Sequence, residues 1–260
     1  MNAYRVATRY SLVELARNQL AALVLVFLIP IAISLAYFVI TREVLTFRLR
    51  TTGTPIQAAG QQATTISCAL NAVSLLVGFA MFASAHRAGA FDRRLAGAGY
   101  SRLALVLAKL TTLLVAAVIV GGYATAWIAW YWSIQQPVLL WTGMFLTGVV
   151  YGAIGLFFAL FLPGELEGMF IIILITVIDN VLQNPITNPA SDAGVVTLLP
   201  GYGAMQTCLA AGFTDTAPVS PILLSLGWAA AFGAIAFGTF VVRTRNRTRA
   251  WLPALASAVR

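Results

Sequence analysis

The stretch that decides the class of fold is LTTLLVAAVIVGGYATAWIAWYW, residues 110–132, which runs for 23 residues without a formal charge. An α-helix of this length extends about 35 Å, which exceeds the roughly 30 Å of hydrocarbon in a bilayer. Four further stretches share this character, and they are residues 20–40, 63–85, 138–162 and 221–242. The sequence therefore predicts five membrane-spanning helices.

The composition agrees with a membrane protein. Hydrophobic residues make up 60% of the 260 residues and charged residues 9%, whereas soluble domains carry about a quarter charged residues. The net charge of +8 is typical of nucleic-acid binding only when the basic residues share one face. Here they flank the apolar stretches, so we expect a lipid bilayer as partner and no nucleic acid. The first stretch, 21 residues long, exceeds a signal-peptide core and is interpreted as a retained first helix.

A sixth span, residues 163–184, is predicted from the distribution of basic residues. With six crossings and both termini cytosolic, 13 Lys and Arg residues lie inside and 3 outside; with five crossings the count is 8 on each side. Because cytosolic segments carry the excess of basic residues, six crossings are favoured. Glu165 and Glu167 suit the first turn of such a helix, where the macrodipole stabilises acids.

The sequence predicts a single all-α membrane domain over residues 1–260. Residues 1–19 are expected to form an interfacial helix and residues 243–260 a basic cytosolic tail. Tryptophans around the turn at 133–137 place that turn outside. Residues 41–62 are expected to be external and partly helical. In the external segment 185–218, the apolar part 195–211 is too short to span, so a re-entrant or interfacial hairpin is predicted.

No catalytic, cofactor-binding or metal-binding residue is predicted. The sequence lacks a GxxxxGK[ST] phosphate loop, an HExxH helix, a GxSxG turn and any His/Cys/Asp cluster with metal-ligand spacing. Asp179, followed by Asn180, is the only acid expected within the hydrocarbon region. The simpler interpretation is a helix end that reaches the lipid headgroups, and the alternative is that Asp179 and Asn180 line a translocation path.

Small residues indicate close helix packing at two places. Gly148, Gly152 and Gly155 lie on one side of the fourth charge-free stretch, and Ala230, Ala234 and Gly238 on one side of the last. Contact within one subunit is the default interpretation. The cysteines Cys68 and Cys208 are interpreted as small buried or interfacial residues, although both lie toward the outer side and a disulfide between them is geometrically conceivable.

Three stretches together resemble the permease subunit of type-2 ABC exporters. They are the amphipathic start with LARNQLAALVLVFLIPIAISLAY at 15–37, RAGAFDRRLAGAGYSRLALVLAKL at 87–110 and LLPGYGAMQTCLAAGF at 198–213. In the second, the residues that match the family pattern are Gly89, Phe91, Asp92, Arg93, Leu95, Gly99, Ser101, Arg102 and Lys109. Gly99 stands where many members have proline, and His86-Arg87 stand where a further acid is frequent.

The resemblance implies that segment 85–102 is a cytosolic coupling loop whose helix docks into a groove of an ABC ATPase subunit. Phe91 and Leu95 are i, i+4 neighbours and are expected to form one apolar knob. The charged residues expected around that knob are Arg87, Asp92, Arg93 and Arg94. Gly97 and Gly99 are expected to end this helix. Orientation by positive charge alone is the alternative, but it requires neither Phe91 nor Leu95.

The function implied by the resemblance is ATP-driven export of an amphipathic or hydrophobic small molecule. The resemblance implies a second permease subunit, identical or homologous, and ATP with Mg²⁺ bound in the separate ATPase, so this chain is not an enzyme by itself. It also implies the bacterial cytoplasmic membrane, with which a content of 15 arginines to 1 lysine agrees. The rival hypothesis is a membrane protein outside the ABC class, either a secondary transporter or an assembly protein.

Overall fold

The computed structural model describes residues 3–17, 19–49, 53, 55–188, 190–191 and 193–258. These residues form eight α-helices, one two-stranded hairpin and a short 3₁₀ helix, Gly194–Leu198. The helices are α1 (Ala3–Arg17), α2 (Gln19–Val39), α3 (Gly60–Gly97), α4 (Arg102–Tyr131), α5 (Pro137–Phe161), α6 (Glu165–Gln183), α7 (Tyr202–Phe213) and α8 (Val219–Ala258). The predicted helical fold class is thereby confirmed. Arg50 and Arg260, which the sequence analysis counted, lie outside the described residues.

Five of these helices, α2, α3, α4, α5 and α8, are long and apolar enough to cross a membrane. This indicates a multi-pass membrane protein. Helices α3 and α5 are largely buried, whereas only 17% of the apolar parts of α2 and α8 is buried. The bundle is therefore built around α3 and α5, and α2 and α8 present most of their apolar side chains outward.

The glycines of α5 allow close helix contacts in the bundle core. A Cβ atom at Gly148 would lie 2.9 Å from the Cβ of Ala117 on α4. A Cβ at Gly152 would overlap Leu113 of α4, and one at Gly155 would overlap the carbonyl oxygen of Gly78 on α3. The predicted packing role of these glycines within one subunit is confirmed, because the backbones approach where no side chain intervenes.

The small residues of α8 behave differently. Ala230 and Ala234 border an open groove, and a Cβ placed at Gly238 meets no atom within 4 Å. The prediction of close packing within the subunit is therefore wrong for Ala230, Ala234 and Gly238. These residues face space that no described helix of the chain fills.

The described part of residues 41–62 forms a β-hairpin followed by the start of α3, which corrects the prediction of a partly helical segment. Strand β1 (Val44–Arg48) pairs antiparallel with β2 (Pro55–Ala59), with Thr46 opposite Gln57. Gly53, in the connection, has φ +66°, a conformation that glycine adopts without steric cost. Ile56 and Ala58 are buried while Pro55 and Gln57 are exposed, which is the alternation of a strand with one covered face.

Hydrogen bonds and ring contacts show which of the segments between helices lie at the same end of the bundle. At one end, which we call the basic end, Tyr100 donates to the carbonyl of Ala3, and Arg243 to that of Leu160. At the other, the hairpin end, the Gln136 N–H donates to the Ala211 carbonyl over 3.0 Å. The rings of Phe47 and Phe213 lie 6.1 Å apart at the same end. The α3–α4 and α5–α6 links thus share the basic end, and the α4–α5 and α7–α8 links share the hairpin end.

The apolar segment 195–211 is a 3₁₀ turn followed by α7. All residues of α7 from Tyr202 to Gly212 are buried, and the helix packs against α3, α5 and α8. Two close approaches hold it there, because a Cβ at Gly143 would overlap the Cys208 sulfur and a Cβ at Gly203 would overlap the Pro221 carbonyl. The segment therefore consists of an exposed 3₁₀ turn, with Val195 and Leu198 outward, and a short helix that is buried among α3, α5 and α8.

Candidate functional site

The segment predicted as a coupling loop is mostly the end of α3, which corrects its description as a loop. Helix α3 continues without a break from the charge-free stretch to Gly97, and only residues 98–101 lie between α3 and α4. At 1.5 Å per residue, the part beyond residue 85 extends about 18 Å past the apolar stretch. The charged residues are therefore carried by a rigid continuation of the helix.

The end of α3 is a Schellman motif. The Tyr100 N–H donates to the Leu95 carbonyl over 3.0 Å, and the Gly99 N–H to the Ala96 carbonyl over 3.3 Å. Gly99 has φ +91°, the left-handed conformation that this motif requires and that glycine adopts most readily. Ser101 then caps α4 by accepting the Ala104 N–H. The predicted end of the helix at Gly97 and Gly99 is confirmed.

Phe91 projects from this helix end. Its side chain is 62% exposed, an unusual state for a phenylalanine next to charged residues, while Leu95 is half-buried. The basic residues around it, Arg87, Arg93 and Arg94, are exposed. Arg87 and Arg94, four residues before and three after Phe91, share its helix face, so the apolar ring is flanked by positive charge, and the half-buried Leu95 is less exposed than Phe91.

Asp92 differs from the expectation that it surrounds the knob. It is buried, and its Oδ2 lies 2.9 Å from the Nζ of Lys109 on α4. Sequence reasoning noted Lys109 only as a residue at the head of a span and missed this pair. The ion pair fixes the end of α3 against the start of α4, so Asp92 orients the helix that carries Phe91.

The single histidine of the chain, His86, packs against an aromatic side chain and is not part of a group of metal-binding residues. Its ring stacks on Phe82 with centroids 5.5 Å apart, and Phe82 in turn covers Gly168 of α6. Across the part of the chain that the structure describes, no three His, Cys, Asp or Glu residues are grouped to hold a metal ion. Cys68 and Cys208 are free thiols, half-buried and buried respectively.

A cavity of about 390 Å³ opens beside the charged helix end, between α3, α4, α5 and α8. Its wall is largely apolar, with Leu156 and Phe237 among the lining residues. Of the predicted site residues, Gly89, Asp92 and Arg93 border it, whereas Phe91, Leu95 and Gly99 do not. The same helix end therefore presents one face outward and lines an internal cavity with the other.

Asp179 is buried, so its interpretation as a helix end that reaches headgroups is wrong. Only 1% of the residue is exposed. Its Oδ2 accepts the Tyr151 hydroxyl and the Gly201 N–H, the latter over 2.8 Å, and Oδ1 accepts Nε2 of Gln183. These donors tie α6 to α5 and to the start of α7.

Asn180 is turned back on its own helix, with Nδ2 donating to the Thr176 carbonyl over 2.9 Å. Neither Asp179 nor Asn180 borders the 390 Å³ cavity. The sequence analysis named Asp179 and Asn180 together as a possible translocation path. In the structure both residues are separated from the charged end of α3.

A comparison with protein-family models and with curated proteins found no match for this chain.

Proposed function

We propose that this chain is the membrane-spanning permease subunit of a type-2 ABC exporter. It moves an amphipathic or hydrophobic small molecule outward with a separate ATPase subunit, which binds ATP and Mg²⁺. The observation that carries the proposal is the exposed Phe91 ring on the continuous end of α3, with the exposed Arg87 and Arg94 on the same helix face. Aromatic and arginine side chains are the residues that most often anchor protein interfaces.

The attachment of this helix end supports a coupling role. Force applied to Phe91 is transmitted along α3 because the helix is continuous from Gly60 to Gly97. The Asp92–Lys109 pair passes the same displacement to α4. A docked ATPase that moves on nucleotide binding therefore acts on two helices through one contact.

Six crossings are proposed, with α6 as the span beyond the five that length and composition identify. The α4–α5 turn and the end of α7 meet at the hairpin end, where Gln136 contacts both Ala211 and Thr214. Because α5 leads away from this end, the chain must return to it before α8 begins. Helix α6 provides that return, and its outward face carries Phe170, Ile173, Leu174, Val177 and Ile178, all exposed.

This topology places the basic end, with both chain termini, in the cytosol of a bacterium and the hairpin end outside its cytoplasmic membrane. In it, α7 is a re-entrant helix, and its complete burial suits backbone that enters the bilayer only within protein. The outward apolar faces of α2 and α8 suit contact with lipid and with a second permease subunit.

The proposal predicts an ABC ATPase gene beside the gene of this chain, and it is tested by co-expression of the tagged chain with that ATPase. We expect Phe91→Asp, alone and with Leu95→Asp, to abolish co-purification of the ATPase, because the charge removes the apolar anchor. Leu166→Asp is the matched control, since Leu166 is 82% exposed at the basic end but lies on α6. Normal ATPase binding by the double variant would overturn the coupling assignment, and the absence of any ATPase partner would favour the secondary-transporter or assembly hypothesis.

A further inference from the structure

A groove on the side of the bundle adjoins the 390 Å³ cavity. The groove, about 310 Å³, runs between the first turns of α4 and the middle of α8. It shares four lining residues with the cavity, which are Val106, Leu110, Gly233 and Phe237. The two spaces therefore lie side by side, in contact with the same four side chains or backbone segments.

The groove lies between α4 and α8, which are joined by a side-chain hydrogen bond at its end nearer the basic end of the bundle. There Nη2 of Arg102 donates to the Thr244 carbonyl over 3.4 Å. Beyond this contact, Leu103 and Leu107 of α4 and Ala230 and Ala234 of α8 line the groove. Both helices have the length and hydropathy of spans, so in the proposed topology the groove lies at the cytosolic edge of the apolar part of the bilayer.

The inner end of the path carries positive charge. Among the described residues that border the cavity, Arg93, Lys109 and Arg243 are basic and Asp92 is acidic, so the cations exceed the carboxylates by two. Lys109 is engaged by Asp92. Arg243 donates to the Leu160 carbonyl and lies 5.4 Å from the centre of the Phe161 ring. A guanidinium group has five N–H donors, so Arg243 retains donors for an anion.

We infer that this groove and cavity form a lateral access path and binding site for an anionic amphiphile with one small apolar body. The apolar part lies between α4 and α8, and the anionic head reaches Arg93 and Arg243. The volume of the cavity is within the range of small-molecule pockets, about 300–1,000 Å³. The inference rests on the proposed export function and specifies the charge of its substrate.

The site is tested with the purified full chain in phosphatidylcholine nanodiscs, without ATPase. The probe is dodecyl phosphate that carries a photoreactive group in its chain. After irradiation, labelled peptides are mapped by mass spectrometry. We expect saturable labelling within residues 103–110 and 229–240. Equal labelling by the matched dodecyltrimethylammonium probe would overturn the inference, because the basic rim should repel a cation.

Charge variants test the head-group contact. We expect Arg93→Gln with Arg243→Gln to weaken dodecyl phosphate binding on the order of tenfold or more, because two charge-assisted hydrogen bonds are lost. Arg94→Gln is the control, since Arg94 is exposed on the same helix but does not border the cavity. Unchanged binding by the double variant would overturn the assignment.

A blocking variant tests the lateral path without risk to the fold. Gly233 borders the groove, and a Cβ there meets no atom within 4 Å, so Gly233→Leu adds a side chain to open space. We expect it to abolish labelling. Gly227→Leu is the matched control, because Gly227 also faces open space on α8 but borders neither the groove nor the cavity.

Three outcomes separate this inference from its rivals. Competition by phosphatidylglycerol as strong as that by dodecyl phosphate would assign the site to a resident lipid and overturn the inference. A change of oligomeric mass in Gly233→Leu, with labelling intact, would make the groove a contact between subunits and also overturn it. If labelling behaves as expected but Phe91→Asp leaves ATPase binding unchanged, the coupling proposal fails and the binding site stands.

Discussion

The Nζ of Lys109 lies 2.9 Å from Oδ2 of Asp92, and this pair joins the end of α3 to the start of α4. Both side chains are mostly withdrawn from solvent, with 20% of Lys109 and 10% of Asp92 exposed. The cavity beside them holds further basic residues, Arg93 and Arg243. Asp92 is therefore the carboxylate that offsets a local excess of positive charge.

We expect Asp92→Asn to lower the stability of the chain by about 1–3 kcal/mol, because Lys109 is left without its acceptor. Thermal unfolding in neutral detergent measures this as a fall in Tm, at about 2–4 °C for each kcal/mol. Lys109→Gln should have an effect of similar size, and the double variant should lose less than the sum of the two. Additive effects would contradict a direct interaction.

The Schellman motif gives a matched pair of substitutions. Gly99→Ala should lower stability by about 1–2 kcal/mol, because an L-residue is strained at φ +91°. Gly97→Ala should be neutral or slightly stabilising, since Gly97 is helical and a Cβ there meets no atom within 4 Å. Equal Tm values for the two variants would contradict the described end of α3.

The contact between Phe82 and Gly168 is a test of the packing of α6. A Cβ at Gly168 would overlap the Phe82 ring, so Gly168→Ala should cost about 1–3 kcal/mol by overpacking. Gly227→Ala, where the added methyl group meets nothing, should cost nothing. The comparison is made by thermal unfolding, and a neutral Gly168→Ala would show that α6 does not pack against α3 as described.

The hydrogen bonds of Asp179 separate a structural role from a transport role. Asp179→Asn should lower stability by about 1–3 kcal/mol, because an amide cannot accept from all three donors. Tyr151→Phe, which removes one donor, should cost about 1 kcal/mol.

Transport by Asp179→Asn, measured per folded molecule in proteoliposomes, is expected to match that of the native chain. Full transport by this variant would remove Asp179 from the translocation path. A loss of transport beyond the loss of folded protein would instead support the alternative that Asp179 lies on that path.

Much of the helical architecture could be predicted. A charge-free apolar stretch that is longer than the bilayer is thick can form few structures other than a spanning helix. The end of α3 could also be predicted, since Gly97 and Gly99 indicate a helix end from the local sequence alone. The hairpin of 44–59 was missed because strands of five residues show too little alternation to be recognised. A signal was present in Gly53 between two runs with β-branched residues.

The remaining errors concern contacts between segments distant in sequence. Helical spacing places Asp92 near Phe91 but does not say which of them faces α4. The environment of Asp179 depends on Tyr151 and on the Gly201 N–H, 28 residues before it and 22 after it. No local sequence pattern predicts these contacts, because they depend on how α5, α6 and the start of α7 pack.

The continuity of α3 has a mechanical consequence. One of its close contacts with the bundle core is at Gly78, whose carbonyl oxygen lies against Gly155 of α5. Phe91 lies 13 residues further on, about 20 Å along the helix axis. A tilt of about 5° around the glycine contact moves the ring by about 2 Å. Because Phe82 packs on Gly168 of α6 and Asp92 pairs with Lys109 of α4 within that length, the same tilt also displaces α6 and α4.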